Sequence, residues 1–124
     1  MAEALARHFI GARVNACSAG LVPLGYIPSL TFEVLKEAGI SAKGLYSKGI
    51  ADVQFDCVDY LVNLTGIAIA SRMPQSFRGK VISFFIQDPF GGDVEEFRDV
   101  RNQIEWMVRE KLPELISLKE DGSR

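Results

Sequence analysis

Histidine and cysteine, the side chains that most often build metal sites and thiol-based active sites, are scarce in this chain of 124 residues. It has one histidine, His8, and two cysteines, Cys17 and Cys57, which do not form a Cys-x2-Cys pair. A structural zinc site or a cysteine–histidine catalytic pair has too few ligands here, so we predict no metal and no cofactor. Both cysteines lie in apolar, strand-like segments, and we expect reduced core residues rather than a disulfide.

Long apolar runs and blocks of one charge are also missing. No apolar run reaches the roughly 18 residues that a membrane-spanning helix needs, and no signal-peptide pattern opens the chain. The 14 Lys and Arg residues are dispersed among 16 Asp and Glu residues, which gives a net charge of -2. This pattern is typical of a mixed, solvated surface and argues against a basic patch for nucleic acid or anionic lipid. We therefore expect a cytoplasmic protein with no nucleic-acid or membrane partner.

The sequence does contain enough apolar residues, 48% of the chain, to bury a single core. Helix-like and strand-like periodicities alternate along it. Helices are predicted at residues 1–9, from Pro28 or Ser29 to Gly39, at residues 67–72 and after Asp93, and strands at residues 13–18, 58–64 and 81–87. Residues 44–53 form a connector with room for one helical turn. Strands separated by helices predict a parallel three-layer α/β domain over residues 1–118, followed by a disordered polar tail at residues 119–124.

The last helix has the clearest pattern. Asp93 can cap its first turn, with Glu96 at the reciprocal position of a capping box. Apolar residues then recur at helical spacing, namely Phe97, Val100, Ile104, Val108 and Leu112. This pattern predicts an amphipathic helix with its apolar side in the core.

The segment Asp88-Pro89-Phe90-Gly91-Gly92 follows a predicted buried strand. Open parallel sheets place their sites at the carboxyl ends of strands, so Asp88 would stand at a site edge. Pro89 fixes the backbone beside it, and the two glycines would let the loop move. Taken alone, the segment is more typical of an ordinary strand-ending turn than of a functional site.

Six short segments carry a more specific signal through their order and spacing. They are M-A-E-A at residues 1–4, S-A-G at 18–20, V-L-K-E-A-G-I at 34–40, V-D-Y-L-V-N-L at 58–64, D-P at 88–89 and F-R-D-V-R-N-Q-I at 97–104. Together they resemble the low-molecular-weight protein tyrosine phosphatases and their arsenate-reductase relatives, from Met1 to about Leu115. The resemblance implies that Asp88 is the general acid, that an aryl phosphate anion is the ligand, and that Phe90 is either a wall for its phenyl ring or a core residue.

The same resemblance implies a C-x5-R phosphate loop ahead of the segment that is similar to M-A-E-A. Here Pro23 stands six positions after Cys17, and Asn63 stands six positions after Cys57. We therefore expect an N-terminally truncated domain that is inactive as given. It is either part of an enzyme lineage whose working form carries the upstream loop or a non-catalytic binding module. Arsenate reduction is less favoured, because Thr65 stands near the place of a relay cysteine and no cysteine follows Cys57.

The resemblance further implies a sheet in the strand order 2-1-3-4 whose interior strand 1 is missing between residues 13–18 and 58–64. An empty slot would leave buried N–H and C=O groups unpaired at about 1–3 kcal/mol each, against a typical stability of about 5–15 kcal/mol. Three arrangements avoid this cost: the two neighbouring strands pair directly, a second copy pairs with the unpaired edges to give a homodimer, or the natural protein starts further upstream. The unpaired N–H groups and the ammonium at the start of the first helix would still attract phosphate weakly.

Overall fold

The computed structural model describes residues 1–116. The predicted tail at residues 119–124 and the end of the predicted domain lie outside this range. The helices are α1 (Ala2–Ile10), α2 (Ser29–Glu37), α3 (Val94–Trp106) and α4 (Leu112–Leu115), and the strands are β1 (Tyr60–Asn63) and β2 (Lys80–Ser83). A π-helical segment, Met107–Lys111, joins α3 to α4, and single 3-10 turns lie at Ile50–Asp52, Phe55–Cys57 and Ala70–Arg72.

β1 and β2 pair in parallel, with Tyr60 opposite Lys80 and Asn63 opposite Ser83. Hydrogen bonds continue past the strand ends, because Phe84 N–H donates to the carbonyl of Asn63 (2.9 Å) and Ile86 N–H to that of Leu64 (3.2 Å). The predicted α/β class, with a parallel sheet flanked by helices, is confirmed. Both strands are shorter than the predicted ranges of residues 58–64 and 81–87.

The core lies where α3 and the π-helical segment meet the other helices. α3 contacts α1 and α2, and the π-helical segment also contacts α1. The five residues predicted for the apolar side of the last helix are all buried, namely Phe97, Val100, Ile104, Val108 and Leu112. Each large buried apolar side chain contributes about 1.5–3 kcal/mol. One face of the sheet joins this core through Ile82, Phe84 and Ile86.

The helix termini follow the predicted chemistry in most respects. The Asp93 carboxylate accepts a hydrogen bond from Glu96 N–H (3.0 Å) and caps α3. The reciprocal bond of a full capping box is not formed within residues 1–116. Gly39, after α2, has φ +73°, the left-handed conformation expected of a residue that closes a helix.

The strand predicted at residues 13–18 is not formed, and that prediction is wrong. Among the described residues, β1 pairs with β2 alone, so direct pairing of residues 13–18 with residues 58–64 is also wrong. This segment is held at its two ends instead. Arg13 N–H donates to the carbonyl of Ile10 in a turn after α1, and Gly20 N–H donates to the carbonyl of Lys48 (2.8 Å). These local bonds replace a strand ladder.

Two further expectations need correction. The helix predicted at residues 67–72 is reduced to the 3-10 turn Ala70–Arg72, whereas the connector at residues 44–53 contains the turn Ile50–Asp52. Cys17 and Cys57 are free thiols as expected, but both are exposed rather than part of the core. Cys17 lies in the irregular segment that was predicted as a strand, and Cys57 ends a 3-10 turn ahead of β1, so neither reaches the helix-packed interior.

Candidate functional site

The loop that follows the extended end of β2 contains the predicted acid. Asp88 Oδ1 accepts a hydrogen bond from Phe90 N–H (3.0 Å), and Gly92 N–H donates to the carbonyl of Pro89 (2.8 Å). Gly91 has φ +86°, which a residue with a side chain rarely adopts. The result is a tight turn that leads into the Asp93 cap of α3 and fixes one oxygen of the Asp88 carboxylate.

Asp88 and Phe90 are both exposed in this turn. Phe90 is 52% exposed, so it is not a core residue. Asp88 Oδ2 has no hydrogen-bond partner among residues 1–116. The Asp88 carboxyl group is therefore held through one oxygen and exposed at the other.

The start of α1 forms a second polar cluster, built around the buried Glu3. Its Oε1 accepts hydrogen bonds from the Ser18 hydroxyl (2.8 Å) and from Lys48 Nζ (3.0 Å). The side chains of Glu3 and Lys48 are 0% and 7% exposed. Arg7 lies 2.5 Å from Oε2, but its geometry is that of an ion pair without a hydrogen bond. The cluster fastens the first turn of α1 to the segments around Ser18 and Lys48.

Burial by itself raises the pKa of Glu3, because it penalises the charged carboxylate. The hydrogen bonds from Ser18 and Lys48, with the charges of Lys48 and Arg7, outweigh that effect and hold the pKa below its ordinary value. Glu3 is therefore an anion at neutral pH, at the end of α1 where the helix dipole favours negative charge.

Cys17 is the cysteine beside this cluster, one residue before Ser18. It is exposed. The arginine of the cluster, Arg7, already contacts Glu3 and donates to the carbonyl of Lys43 (3.3 Å).

The part of the chain that the structure describes holds no group of three or more metal-ligating side chains.

A groove of about 440 Å³ lies between residues 84–86 and α3. Its apolar lining includes Phe85 and Trp106, which are 71% and 51% exposed, and its one charged lining residue is Asp99. Neither Asp88 nor Phe90 lines it, so this concavity is separate from the predicted site.

Comparison with known proteins identifies the lineage. The family model described as low molecular weight phosphotyrosine protein phosphatase matches residues 1–123. The chain belongs to this family.

Solved structures of similar fold include a protein tyrosine phosphatase from Entamoeba histolytica with Hepes in its active site. It is 19% identical, with a TM-score of 0.77 over 99% of this chain and 89% of that chain. An arsenate reductase from Archaeoglobus fulgidus is 25% identical, with a TM-score of 0.73 over 88% of this chain and 85% of that chain. The arginine phosphatase YwlE from Geobacillus stearothermophilus is 23% identical, with a TM-score of 0.73 over 99% of this chain and 87% of that chain.

No helix within residues 1–116 is long and apolar enough to cross a membrane.

Within this phosphatase-family chain, sequence reasoning located the Asp88 loop but missed the Glu3 cluster. Glu3 and Arg7 stand at i and i+4 on α1, a spacing that signals an ion pair. Lys48 lies 45 positions from Glu3 and carries no such local signal. Only the folded structure, in which Lys48 contacts Glu3 at the start of α1, reveals that this lysine is buried.

Proposed function

We propose that this chain is a low-molecular-weight phosphotyrosine phosphatase domain in which Asp88 is the general acid and Phe90 forms an aromatic wall for the substrate. The family match and the position of Asp88 after β2 carry the proposal. A phenolate leaving group has a pKa of about 10, so an adjacent acid that protonates it contributes to the rate. The exposed ring of Phe90, two residues further on, is available to a phenyl ring.

We further propose that the 124-residue chain does not hydrolyse aryl phosphates by itself. The reaction needs a thiolate that attacks phosphorus and an arginine that holds two phosphate oxygens. Neither Cys17 nor Cys57 is followed by arginine at the sixth position. Arg7, the arginine of the Glu3 cluster, is already paired with Glu3.

Hydrolysis of p-nitrophenyl phosphate by the purified chain tests this proposal. We expect no turnover above the buffer background, and the same result for Asp88→Asn. The matched control is Glu33→Gln, which removes an exposed carboxylate from α2. The inactivity proposal is wrong if turnover is measured. If that turnover is lost in both Asp88→Asn and Cys17→Ser but kept in Glu33→Gln and Cys57→Ser, Asp88 is the acid and Cys17 is the nucleophile.

The second candidate is a non-catalytic, cytoplasmic module that binds phosphate or aryl phosphate, or forms a homodimer through unpaired strand edges. The observation that favours it is the two-stranded sheet of the described residues, in which each strand has one paired neighbour. A phosphate titration followed by NMR distinguishes two places at which the anion could bind. Binding at the start of α1 shifts residues 1–4, whereas binding at the acid loop shifts Asp88 and Phe90. The absence of shifts at both places would reject anion binding.

A further inference from the structure

The groove between residues 84–86 and α3 has the dimensions of a small-molecule site. Its volume of about 440 Å³ lies within the range of roughly 300–1,000 Å³ that such sites span. Sites of this kind combine a mostly apolar and aromatic lining with a few polar groups that orient the ligand. Phe85 and Trp106 supply exposed aromatic rings here, and Asp99 supplies the one charge among the described lining residues.

The polar end of the groove is the carboxylate of Asp99. This residue is exposed, and within residues 1–116 it has no ion-pair or hydrogen-bond partner. The two nearby arginines of α3 do not neutralise it, because Arg98 and Arg101 both donate to Glu37 (2.8 and 2.6 Å). Arg98 also contacts Glu95, so these four charges balance one another. Charge complementarity therefore favours a ligand with a positive group at this end.

The apolar end of the groove is formed by Trp106, which lies about two helical turns after Asp99. Residues at this spacing share one side of an α-helix and are about 10 Å apart along its axis. Asn102 and Gln103 lie between them and also line the groove. A ligand that reaches both ends is therefore elongated, with its charged group at one end.

The orientation of such a ligand is set by Lys111. Its Nζ lies 5.1 Å from the centroid of the Trp106 ring, a cation–π arrangement. α3 passes into the π-helical segment at Met107, and the i to i+5 repeat of a π-helix brings Lys111 to the side of Trp106. Because like charges repel, a positive ligand group is directed away from this ring and toward Asp99. Such π-helical turns are rare and frequently lie at functional sites.

We propose that this groove binds a small arylalkylammonium ion. The ammonium group pairs with Asp99, and the aryl ring lies against Trp106 and Phe85, where aromatic rings pack favourably on one another. Neither Asp88 nor Phe90 lines the groove, so the site is separate from the acid loop. Binding there does not depend on whether the chain hydrolyses phosphate esters.

Calorimetric titration with three ligands that share one aryl tail tests the charge preference. The ligands are phenylbutylamine, which is a cation at neutral pH, phenylbutanol, which is neutral, and phenylbutyrate, which is an anion. An exposed ion pair should make the Kd of the amine about threefold lower than that of the alcohol. Phenylbutyrate should bind more weakly than the alcohol, because its charge is repelled by Asp99.

Three variants assign the preference to particular charges. Asp99→Asn should raise the Kd of the amine to that of the alcohol and should leave the Kd of the alcohol unchanged. Glu33→Gln is the matched control, since it removes an exposed carboxylate of α2 outside the groove and should keep the preference. Lys111→Met should lower the Kd of the amine, because it removes a repelling charge. Circular dichroism confirms that each variant is folded.

NMR locates the bound amine, with shifts expected at the amides of Gln103 and Trp106. The proposal is overturned by equal Kd values for the amine and the alcohol, by a preference for phenylbutyrate, or by the absence of saturable binding. An amine preference retained in Asp99→Asn, or shifts confined to Asp88 and Phe90, would overturn it as well. Since no hydrolysis is measured, these outcomes are distinct from a failure of the phosphatase proposal.

Discussion

At the scale of single residues, Lys48 has the strongest predicted effect on stability. Its ammonium is buried and is bonded to the carboxylate of Glu3, and it also lies 4.1 Å from the centre of the Tyr46 ring. Lys48→Met should lower the free energy of unfolding by about 3 kcal/mol, because it leaves a buried carboxylate short of a partner. Ser18 and Arg7 remain beside Glu3, which keeps the loss at the low end of the usual range. Urea denaturation measures it.

Lys36→Met is the matched control, since Lys36 is exposed on α2 and the change should stay within about 0.5 kcal/mol. Glu3→Gln added to Lys48→Met should recover part of the loss, because the unpaired charge is then gone. A loss equal to that of the control would show that the buried pair does not stabilise the fold.

The residues of the candidate site were predictable to different degrees. The place of Asp88 after a strand follows from the strand pattern and the Asp-Pro-Phe-Gly-Gly turn, and the structure places it there. The predicted roles of Asp88 and Phe90 stay predictions. Burial of Lys48 was not predictable, because it depends on contacts between segments that are distant in sequence.

At the scale of secondary-structure elements, Glu37 joins α2 to α3. Arg98 donates to both of its carboxylate oxygens (2.8 and 3.1 Å), and Arg101 donates to Oε1 (2.6 Å). Arg101 also donates to the carbonyl of Val34 (2.9 Å) near the end of α2. These hydrogen bonds, more than their charges, lower the pKa of Glu37 to about 2.

This lowered pKa predicts a pH dependence of stability. Glu37 is more acidic in the folded state, so its contribution is fully present above its ordinary value of 4.5 and is lost as the pH falls toward about 2. The difference in Tm between the natural chain and Glu37→Gln should therefore be constant above about pH 6 and should narrow by about pH 3. Calorimetry across this range measures the difference.

Glu33→Gln provides the comparison, because Glu33 is an exposed carboxylate on the same helix. Its Tm difference should stay small and should not narrow over the same interval. A Glu37→Gln difference that is independent of pH would contradict the assigned link between the two helices.

The helices and strands differed in how well they could be predicted from their sequence. α3 was predictable because its cap and its apolar spacing agree, and all five apolar positions are buried. Residues 13–16 alternate polar and apolar side chains, yet residues 13–18 have no paired neighbour in the described sheet. A strand needs a partner as well as a pattern, and periodicity reports only the pattern.

At the scale of the whole molecule, the proposed dimer makes stability depend on concentration. Association that occurs only in the folded state raises Tm with protein concentration by mass action. Tm should therefore rise over a hundredfold concentration range. Differential scanning fluorimetry measures it, and a flat Tm for this chain would exclude the dimer.

The overall class was predictable because helices and strands alternate, and both the parallel pairing and the family match confirm it. The pairing of β1 with β2 agrees with the strand order that the family resemblance implies. The exact register was not predictable, because each strand is only four residues long. The exposure of Cys17 and Cys57 was not predictable from their sequence neighbours either. An apolar neighbourhood in sequence does not ensure one in space.

The groove beside residues 84–86 has an optical consequence. Trp106 is the only tryptophan in the chain, and its half-exposed indole lines that groove. Tryptophan fluorescence, excited selectively over the three tyrosines, therefore originates from this one surface, with Lys111 Nζ 5.1 Å from the ring centroid. The emission wavelength of Trp106 and its quenching by iodide report how accessible this groove is to solvent, without any dye or label.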